Sequence, residues 1–253
     1  MIETIDHRSG IRELRLARPP VNALDDALID ALRRAVEAAP ADGAHALVVS
    51  GRSGLFSAGL DIPALLSLDS AELARCFEGF FALMAALAAS PIPIAAAITG
   101  HSPAGGAVIA LFCDWRVMAE GPYRIGLNEV QVGLTVPELI QTALRRVVGA
   151  HRAERLLVSG QMLESEAALG IGLVDELAPV DEVPHRAVAW LEELLALPRQ
   201  AMLETRDRAR ADLVAATRRE QWPLAEFAAV WQRAETQATL HALLAKLRAG
   251  SAR

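Results

Sequence analysis

Lysine is almost missing from this 253-residue chain: Lys246 is the single one, and arginine carries the rest of the positive side-chain charge. Because Lys246 falls in a C-terminal stretch with helical periodicity, we do not expect Schiff-base or lysine-nucleophile chemistry. Cysteine is scarce too. Cys76 and Cys113 stand far apart in apolar surroundings, which predicts two buried free thiols and no disulfide scaffold.

Three further absences exclude broad classes of function. No apolar run reaches the ~20 residues of a membrane-spanning helix, and the longest, residues 83–98, is interrupted by Ser90, Pro91 and Pro93. The first residues lack the basic start and apolar stretch of a secretory leader, so we expect a cytoplasmic protein without a membrane partner. The formal net charge of −6 gives no basic surplus, so no nucleic-acid partner is expected.

What is present is an alternation of short apolar runs with helical repeats, which is typical of a layered α/β architecture with right-handed crossovers. Glycine, serine and proline separate the runs. The predicted elements are a hairpin over residues 3–17, helices from Leu24 to Val36 and from Ser70 to Ala89, strands over 44–50, 94–99 and 114–119, a loop over 51–61, and helices that begin near Pro103 and at Pro137.

The chain changes character after about residue 178, where almost everything that follows has helical periodicity. The last helix carries an apolar stripe of Leu240, Leu243, Leu244 and Leu247. Such a stripe must be covered either by the chain's own core or by a partner subunit. The length fits one large domain, and no linker divides it.

Three segments together have the composition of a site that stabilises an enolate. The small residues of Phe56–Asp61 and Gly100–Gly106 leave backbone N–H groups free to donate, the second at the start of a helix. Glu129 lies in the mostly apolar stretch Ile125–Gly133, and apolar surroundings raise the pKa of a carboxyl group and make it a usable base. Taken singly, the segments have ordinary explanations: a surface turn, a tight strand-to-helix turn and a surface glutamate. Taken together, the loops would donate to a thioester oxygen, each donor contributing about 3–4 kcal/mol in the transition state.

A competing interpretation is a serine hydrolase. Gly100–Ala104 resembles the G-x-S-x-G nucleophile elbow, and His151 or His185 with Asp175 could complete a triad. However, an alanine stands in place of the last glycine, a proline follows the serine directly, and the later sequence lacks the strand–helix alternation of such enzymes. His45, His151 and His241 have no second histidine or cysteine three or four residues further on, so no metal site is predicted. Nucleotide-binding glycine loops are missing as well.

Five short motifs follow one another along the chain: Asn22-Ala23-Leu24, Phe56–Asp61, Ala104-Gly105-Gly106, Cys113-Asp114 and Gly170–Asp175. Their order and spacing resemble the crotonase (enoyl-CoA hydratase/isomerase) superfamily over nearly the whole chain. Within it, residues 100–133 are most similar to the mitochondrial-type Δ3,Δ2-enoyl-CoA isomerase (dodecenoyl-CoA isomerase) branch.

The resemblance implies a fold: a crotonase spiral of ββα units over residues 1–190, followed by a helical region over 191–253 that forms a homotrimer or a dimer of trimers. It also implies an acyl-CoA thioester as substrate. No separate cofactor is expected, because coenzyme A is part of that substrate. Arg52 is a candidate partner for the CoA phosphates, as are Lys246 and Arg248 of a neighbouring subunit.

The resemblance further implies the roles of individual residues. The backbone N–H groups of Leu60 and Gly105 would form an oxyanion hole, Glu129 would be the acid/base, and Asn128 would lie beside the substrate. The remaining residues along the acyl-CoA would be Ala58, Gly59, Asp61 and Ile62.

One position separates two activities within the superfamily. Hydratases carry a second glutamate where this chain has Val108. Hydration needs one group for the water and one for the carbon, whereas isomerisation needs a single base that takes a proton from C2 and returns it at C4. We therefore predict an enoyl-CoA isomerase of fatty acid β-oxidation. The alternatives are a hydratase or another single-carboxylate crotonase reaction, and a non-catalytic acyl-CoA-binding or scaffold protein.

Overall fold

The computed structural model describes residues 1–250, with side chains through Lys246. Three short 3-10 helices, Arg8–Gly10, Glu129–Val132 and Arg219–Gln221, accompany the main elements. The strands are β1 Ile2–Asp6, β2 Ile11–Leu16, β3 Ala46–Ser50, β4 Gly54–Leu55, β5 Ile94–Ile98, β6 Gly100–Pro103, β7 Trp115–Ala119, β8 Arg124–Gly126, β9 Leu163–Glu164 and β10 Glu176–Ala178. The helices are α1 Asp26–Ala38, α2 Ile62–Leu65, α3 Ser70–Ala89, α4 Gly105–Leu111, α5 Glu138–Val148, α6 Ala150–Ser159, α7 Ser165–Gly170, α8 Val183–Leu195, α9 Arg199–Ala209, α10 Ala211–Ala216, α11 Leu224–Trp231 and α12 Ala234–Gly250.

A six-stranded sheet in the order β1-β2-β3-β5-β7-β10 forms the centre of the molecule. The hairpin β1–β2 is antiparallel, and each later neighbour is parallel. Side chains alternate between two buried faces: Leu47 and Val49 pack with α1 and α3, whereas Ala46 and Val48 pack with α8. A strand buried on both faces reads as a continuous apolar run, so the predicted α/β architecture and its central strands are confirmed.

The two helices predicted between the first strands are confirmed, and their starts follow from capping chemistry. Asp25 accepts a hydrogen bond from the Leu28 N–H at the start of α1. Asp69 and Glu72 form a reciprocal capping box at the start of α3. A carboxylate at this position satisfies N–H groups that have no intrahelical acceptor and favours the positive end of the helix.

A second, four-stranded sheet in the order β4-β6-β8-β9 corrects two sequence predictions. Residues 51–61 are not entirely loop, because β4 lies within them. Pro103 does not open a helix; it ends β6, and α4 begins at Gly105. The cause is the long-range pairing of β4 with β6. Gly100 lies so close to Gly54 that a Cβ added at Gly100 would be 1.9 Å from the carbonyl carbon of Gly54.

The C-terminal helices pack against the same chain. Asp114 accepts hydrogen bonds from Arg206 and Arg210, each at 2.9 Å, and the ring of Phe227 meets that of Phe77 edge-on at 4.5 Å. Aromatic pairs in this geometry add to the free energy of burial. The predicted boundary after residue 190 lies inside α8, and the division into two regions stays a prediction.

Two leucines of the apolar stripe of α12 face their own chain. Leu240 is fully buried in the main core and Leu243 is half-buried. The side chains of Leu247 and Arg248 lie outside the described residues. None of the helices within residues 1–250 has the length and hydropathy that would span a membrane. Cys76 and Cys113 are buried free thiols, as predicted.

Candidate active site

A cavity of about 560 Å³ opens between the N-terminal loops and the C-terminal helices. Its volume is that of a typical small-molecule site. Part of its wall consists of polar backbone and side-chain groups from the loop after β4, the start of α4 and the 3-10 helix after β8. A larger part of the wall is apolar and includes Phe80, Phe81, Val132, Leu134, Pro137, Ile140, Phe227 and Leu243.

The Leu60 N–H group is presented by an irregular loop. Leu24 brackets it: the Leu24 N–H donates to the Gly59 carbonyl at 2.8 Å, and the Asp61 N–H donates to the Leu24 carbonyl at 3.0 Å. Among the described residues the Leu60 N–H itself has no acceptor. Gly59, just before it, has φ +81, and a Cβ added there would lie 3.1 Å from the Gly105 nitrogen. Only glycine allows this close approach of the two loops without strain.

The Gly105 N–H group is presented by the first turn of α4. Ala104 immediately before it has φ 45, an uncommon conformation that redirects the chain from β6 into the helix. The first N–H groups of a helix have no intrahelical acceptor, and within residues 1–250 none is found for Gly105. A Cβ on Gly105 would lie 3.3 Å from the Leu60 nitrogen. The two free N–H groups are therefore neighbours at the cavity wall.

Glu129 begins the 3-10 helix Glu129–Val132 and lines the same cavity. Its Oε2 atom is buried without a hydrogen-bond partner in the described part of the chain, as is Oδ1 of the adjacent Asn128. Burial raises the pKa of Glu129 to about 7, although the residue's own N–H partly opposes the shift. A desolvated carboxyl group whose pKa lies near neutrality is well matched to general acid/base work.

The 3-10 helix that carries Glu129 is fixed from two sides. Gln131 donates to the carbonyl of Gly160 at the end of α6, at 2.8 Å. Thr236 of α12 donates to the carbonyl of Gly133, also at 2.8 Å. The C-terminal helix thus positions the segment that holds the carboxylate, and it also lines the cavity through Leu243.

Asp61 is the other carboxylate on the cavity wall, and its oxygens are already occupied. Oδ1 caps α2 by accepting from the Ala64 N–H at 3.0 Å, and Oδ2 accepts from Arg18 at 2.8 Å. Val108 lies in α4, is completely buried and does not line the cavity. Of the two carboxylates that the described cavity wall contains, Glu129 alone has an oxygen free for chemistry.

Nearly all the predicted site residues meet at this cavity. Gly59 lies behind the wall, between the two loops. Arg52 lines a separate groove of about 530 Å³ and not this cavity. The residues that line the cavity as expected are Ala58, Leu60, Asp61, Ile62, Gly105, Asn128 and Glu129.

Sequence reasoning missed Arg18 and the apolar wall. Arg18 carries no local signal beyond its place before Pro19-Pro20. Phe80 and Phe81 lie within the predicted helix from Ser70 to Ala89, and nothing in their spacing points to a cavity. Phe227 and Leu243 reach the wall only through the packing of α11 and α12 on the core.

The serine hydrolase interpretation is wrong. Ser102 is fully buried within β6, and its Oγ has no hydrogen-bond partner in the part of the chain that the structure describes. A nucleophilic serine needs access to the substrate and a base within hydrogen-bond reach. Asp175, the proposed third member, instead pairs with Arg116 at 2.7 Å.

Curated proteins with similar sequences are named as enoyl-CoA isomerases and hydratases. A mouse protein named mitochondrial enoyl-CoA delta isomerase 1 is 32% identical over 254 residues, which cover 98% of this chain and 87% of the relative. A probable enoyl-CoA hydratase of Mycobacterium avium is 35% identical over 195 residues, 77% of this chain and 76% of the relative. The name of the mouse relative includes mitochondria, so the predicted cytoplasmic location stays a prediction.

The structural comparison tests the fold directly. The crystal structure of human mitochondrial delta3-delta2-enoyl-CoA isomerase superposes with a TM-score of 0.93 and 28% identity, covering 98% of both chains. The predicted crotonase fold with a helical C-terminal region is confirmed. The family model for enoyl-CoA hydratase/isomerase matches residues 6–248. This chain therefore belongs to the enoyl-CoA hydratase/isomerase family.

Proposed function

We propose that this protein is an enoyl-CoA isomerase that moves the double bond of a 3-enoyl-CoA to the 2-trans position. The observation that carries the proposal is the cavity itself: one unpartnered, desolvated carboxylate on Glu129 shares it with two neighbouring N–H groups that lack acceptors. Buried polar groups are normally hydrogen-bonded. The missing partners on both sides therefore point to a ligand with a carbonyl oxygen and a removable proton.

The proposed reaction transfers one proton within the substrate. The thioester oxygen accepts hydrogen bonds from the N–H groups of Leu60 and Gly105. The Glu129 carboxylate removes a proton from C2, and the electron pair moves onto the carbonyl oxygen to give a dienolate. The same carboxyl group delivers the proton to C4, which leaves the double bond between C2 and C3. Preorganised donors act most strongly where charge develops, so the two amides lower the barrier to enolate formation.

The cavity wall favours isomerisation over the addition of water. A hydratase needs a second free acid/base, and the other lining carboxylate, that of Asp61, is held by Arg18 and by the start of α2. The second glutamate of the superfamily's hydratases is replaced here by Val108, whose buried side chain has no group that could transfer a proton. The apolar part of the cavity wall would bind the hydrocarbon chain of the acyl group and exclude water from the cavity.

Replacing Glu129 with Gln tests the assignment. General acid/base groups contribute roughly 10²–10⁴-fold to turnover, so we expect kcat on 3-hexenoyl-CoA to fall by about a thousandfold. The amide is isosteric, so the Kd for hexanoyl-CoA, which cannot react, should stay within about twofold. The matched control is Glu138→Gln, an exposed glutamate at the start of α5. Turnover that survives in Glu129→Gln would show that another group moves the proton.

The Glu129→Gln variant should also differ from the wild type in the pH dependence of its free energy of unfolding. Burial raises the pKa of Glu129 from an ordinary 4.5 to about 7, so ionising it in the folded state opposes folding. The penalty is absent below pH 4.5, grows between pH 4.5 and 7, and is complete above pH 7. Glu129→Gln should therefore be more stable than the wild type above pH 7 by up to about 3 kcal/mol and nearly equal at pH 4.5. Urea unfolding at both pH values measures the difference; equal stability at pH 8 would mean that the carboxylate is well solvated.

A hydratase is the second candidate, because the mycobacterial relative with 35% identity is named as one. If neither isomerisation nor hydration is seen, two candidates remain: a single-carboxylate crotonase reaction of another kind, and non-catalytic binding of acyl-CoA. Hydration of crotonyl-CoA separates the first two activities, because that substrate already has its double bond at C2.

The homotrimer implied by the family resemblance remains a proposal. Leu240 is buried in the core of its own chain and Leu243 lines the cavity, so these two residues of the stripe are not available as the main subunit contact. Light scattering of the purified protein coupled to size exclusion would give the subunit number. A mass near three times 27.0 kDa supports the trimer, twice that mass supports the dimer of trimers, and 27.0 kDa contradicts both.

A further inference from the structure

We infer that Arg18 is a positioning residue that fixes the Leu60 N–H group in the orientation the reaction requires. The inference rests on the proposed function, in which that N–H group donates to the thioester oxygen. Its starting observation is that Arg18 joins, through one planar guanidinium group, the two chain segments that bracket Leu60.

The first segment is residues 23–25. Arg18 Nη1 donates to the Ala23 carbonyl at 3.1 Å, and Nε pairs with Asp25 at 2.9 Å. Between these two contacts lies Leu24, whose N–H and carbonyl pair with Gly59 and Asp61 on either side of Leu60. The position of Leu24 therefore sets the direction of the Leu60 N–H.

The second segment follows Leu60 directly. Arg18 Nη2 pairs with Asp61 Oδ2 at 2.8 Å, while Oδ1 of the same carboxylate caps α2. All three guanidinium nitrogens are thus in use on protein groups. Hydrogen bonds from a charged, planar donor are stronger and more directional than neutral ones, so the two segments cannot slide past each other without breaking several at once.

The site requires such a clamp because regular secondary structure does not supply one. Leu24 and Leu60 are linked only by an isolated bridge and belong to no sheet strand. The chain enters this segment through Asn22, whose φ of 48 is unusual for a residue other than glycine. Arg18 lines the cavity and its side chain is about one-quarter exposed, so its ion pairs are partly shielded from water.

A lysine cannot replace this geometry. Its ammonium group is a single point of charge, whereas the arginine fork reaches three acceptors in fixed directions. The inference therefore predicts that Arg18→Lys fails to restore activity even though the charge is retained. This outcome separates positioning from a purely electrostatic role of the cation.

The experiment compares Arg18→Met and Arg18→Lys with the wild type on 3-hexenoyl-CoA. Misplacing one donor by a fraction of an ångström to one ångström lowers turnover by about ten- to a hundredfold. We expect kcat to fall by that factor in both variants while the Kd for hexanoyl-CoA stays within about twofold. The matched control is Arg34→Met, which removes an exposed ion pair with Asp30 on α1 and should leave kcat unchanged.

A second measurement tests the link through Asp61. Asp61→Asn keeps the oxygen that caps α2 but turns an amide donor towards Arg18. If the two residues act as one clamp, the double variant Arg18→Met/Asp61→Asn loses no more activity than the worse single variant. If the loss of activity in the double variant equals the product of the two single losses, the residues act independently and the clamp is overturned.

The remaining outcomes are decisive as well. Unchanged kcat in the Lys variant, or a rise in Kd that accounts for the whole loss, overturns the inference, the latter because Arg18 would then bind substrate. The Lys variant decides the question if the Met variant does not fold. Loss of turnover in Glu129→Gln together with full activity in both Arg18 variants overturns the role of Arg18 alone. An inactive wild type overturns the proposed function and this inference together.

Discussion

The two N–H groups at the cavity are held by different means, although they would donate to the same oxygen. Gly105 is presented by backbone structure: a strand ends, a helix begins, and its first N–H has no acceptor. Leu60 is presented by side chains: Asn22, Ser57 and Arg18 hold a loop that belongs to no regular element. The comparison shows that one chemical role can rest on a helix terminus at one position and on a side-chain network at another.

The difference has consequences for mutation. At Gly105 the critical property is the absence of a side chain, so any substitution intrudes directly on the site. Around Leu60 the critical groups are polar side chains that hold the loop in place, so their removal should loosen the loop first and affect turnover second. Variants of the first kind should lower kcat with little change in stability, and variants of the second kind should lower both.

Of the two regions that hold the N–H groups, the Gly105 region should show the larger effect. In Gly105→Ala the new methyl group would lie 2.9 Å from Leu24 Cδ1 and 3.3 Å from the Leu60 nitrogen, so it narrows the space for the oxygen between the two donors. Turnover of 3-hexenoyl-CoA should fall by about a hundredfold or more. The control is Gly79→Ala in α3, where the added Cβ meets only ordinary contacts at 3.7 and 3.8 Å. Wild-type kcat in Gly105→Ala would mean that the oxygen does not bind there.

A smaller effect, shared between stability and turnover, is expected at Asn22. Its Nδ2 donates to the Phe56 carbonyl at 3.0 Å, and its Oδ1 accepts from the Arg18 N–H at 2.9 Å. Because the residue is buried, Asn22→Ala leaves both partners unsatisfied and should reduce the free energy of unfolding by about 2 kcal/mol.

Turnover in Asn22→Ala should fall by about tenfold because the Leu60 loop loses its support. The control for destabilisation alone is Val188→Ala in α8, on the opposite face of the sheet. Urea unfolding and initial rates on the same samples give the two quantities. A stable Asn22→Ala with normal kcat would show that the loop holds its shape without this side chain.

Substitutions in either region should not move the pH at which kcat/KM is half of its plateau value. The base must be ionised, so kcat/KM should rise with pH, about tenfold per unit below the midpoint, and level off above it. Burial places the pKa of Glu129 at about 7, and that value depends on the surroundings of the carboxylate. Gly105→Ala and Arg18→Met should therefore lower the plateau but leave the midpoint in place. A displaced midpoint would mean that the N–H loops and the carboxylate are electrostatically coupled.

Local patterns in the sequence pointed to both small-residue loops, to the apolar setting of Glu129 and to much of the fold. A glycine pair before an apolar helical repeat, and a glutamate inside an apolar stretch, are local patterns with a direct physical meaning. The central strands were equally readable, because strands buried on both faces are continuous apolar runs.

The means by which the Leu60 loop is held could not be worked out in the same way. Arg18 contacts Asp61 and Asn22 contacts Phe56, and these pairs lie so far apart in the sequence that no local pattern reveals them. The pairing of β4 with β6 overrides the helix-start preference of Pro103. The apolar wall was equally hidden, since Phe227 and Leu243 reach the cavity from helices more than a hundred residues beyond Phe81. The resemblance to the family supplied the roles of Leu60 and Gly105 but not the means by which either is held.

The most direct test of the single-carboxylate account is a coupled assay of the purified protein on 3-hexenoyl-CoA and, separately, on crotonyl-CoA. The account predicts conversion of the 3-enoyl ester with little hydration of crotonyl-CoA, because Glu129 can shuttle one proton and no second free carboxylate lines the described cavity wall. Strong hydration of crotonyl-CoA would contradict it, since water would then be activated by a group that this account leaves without a catalytic role.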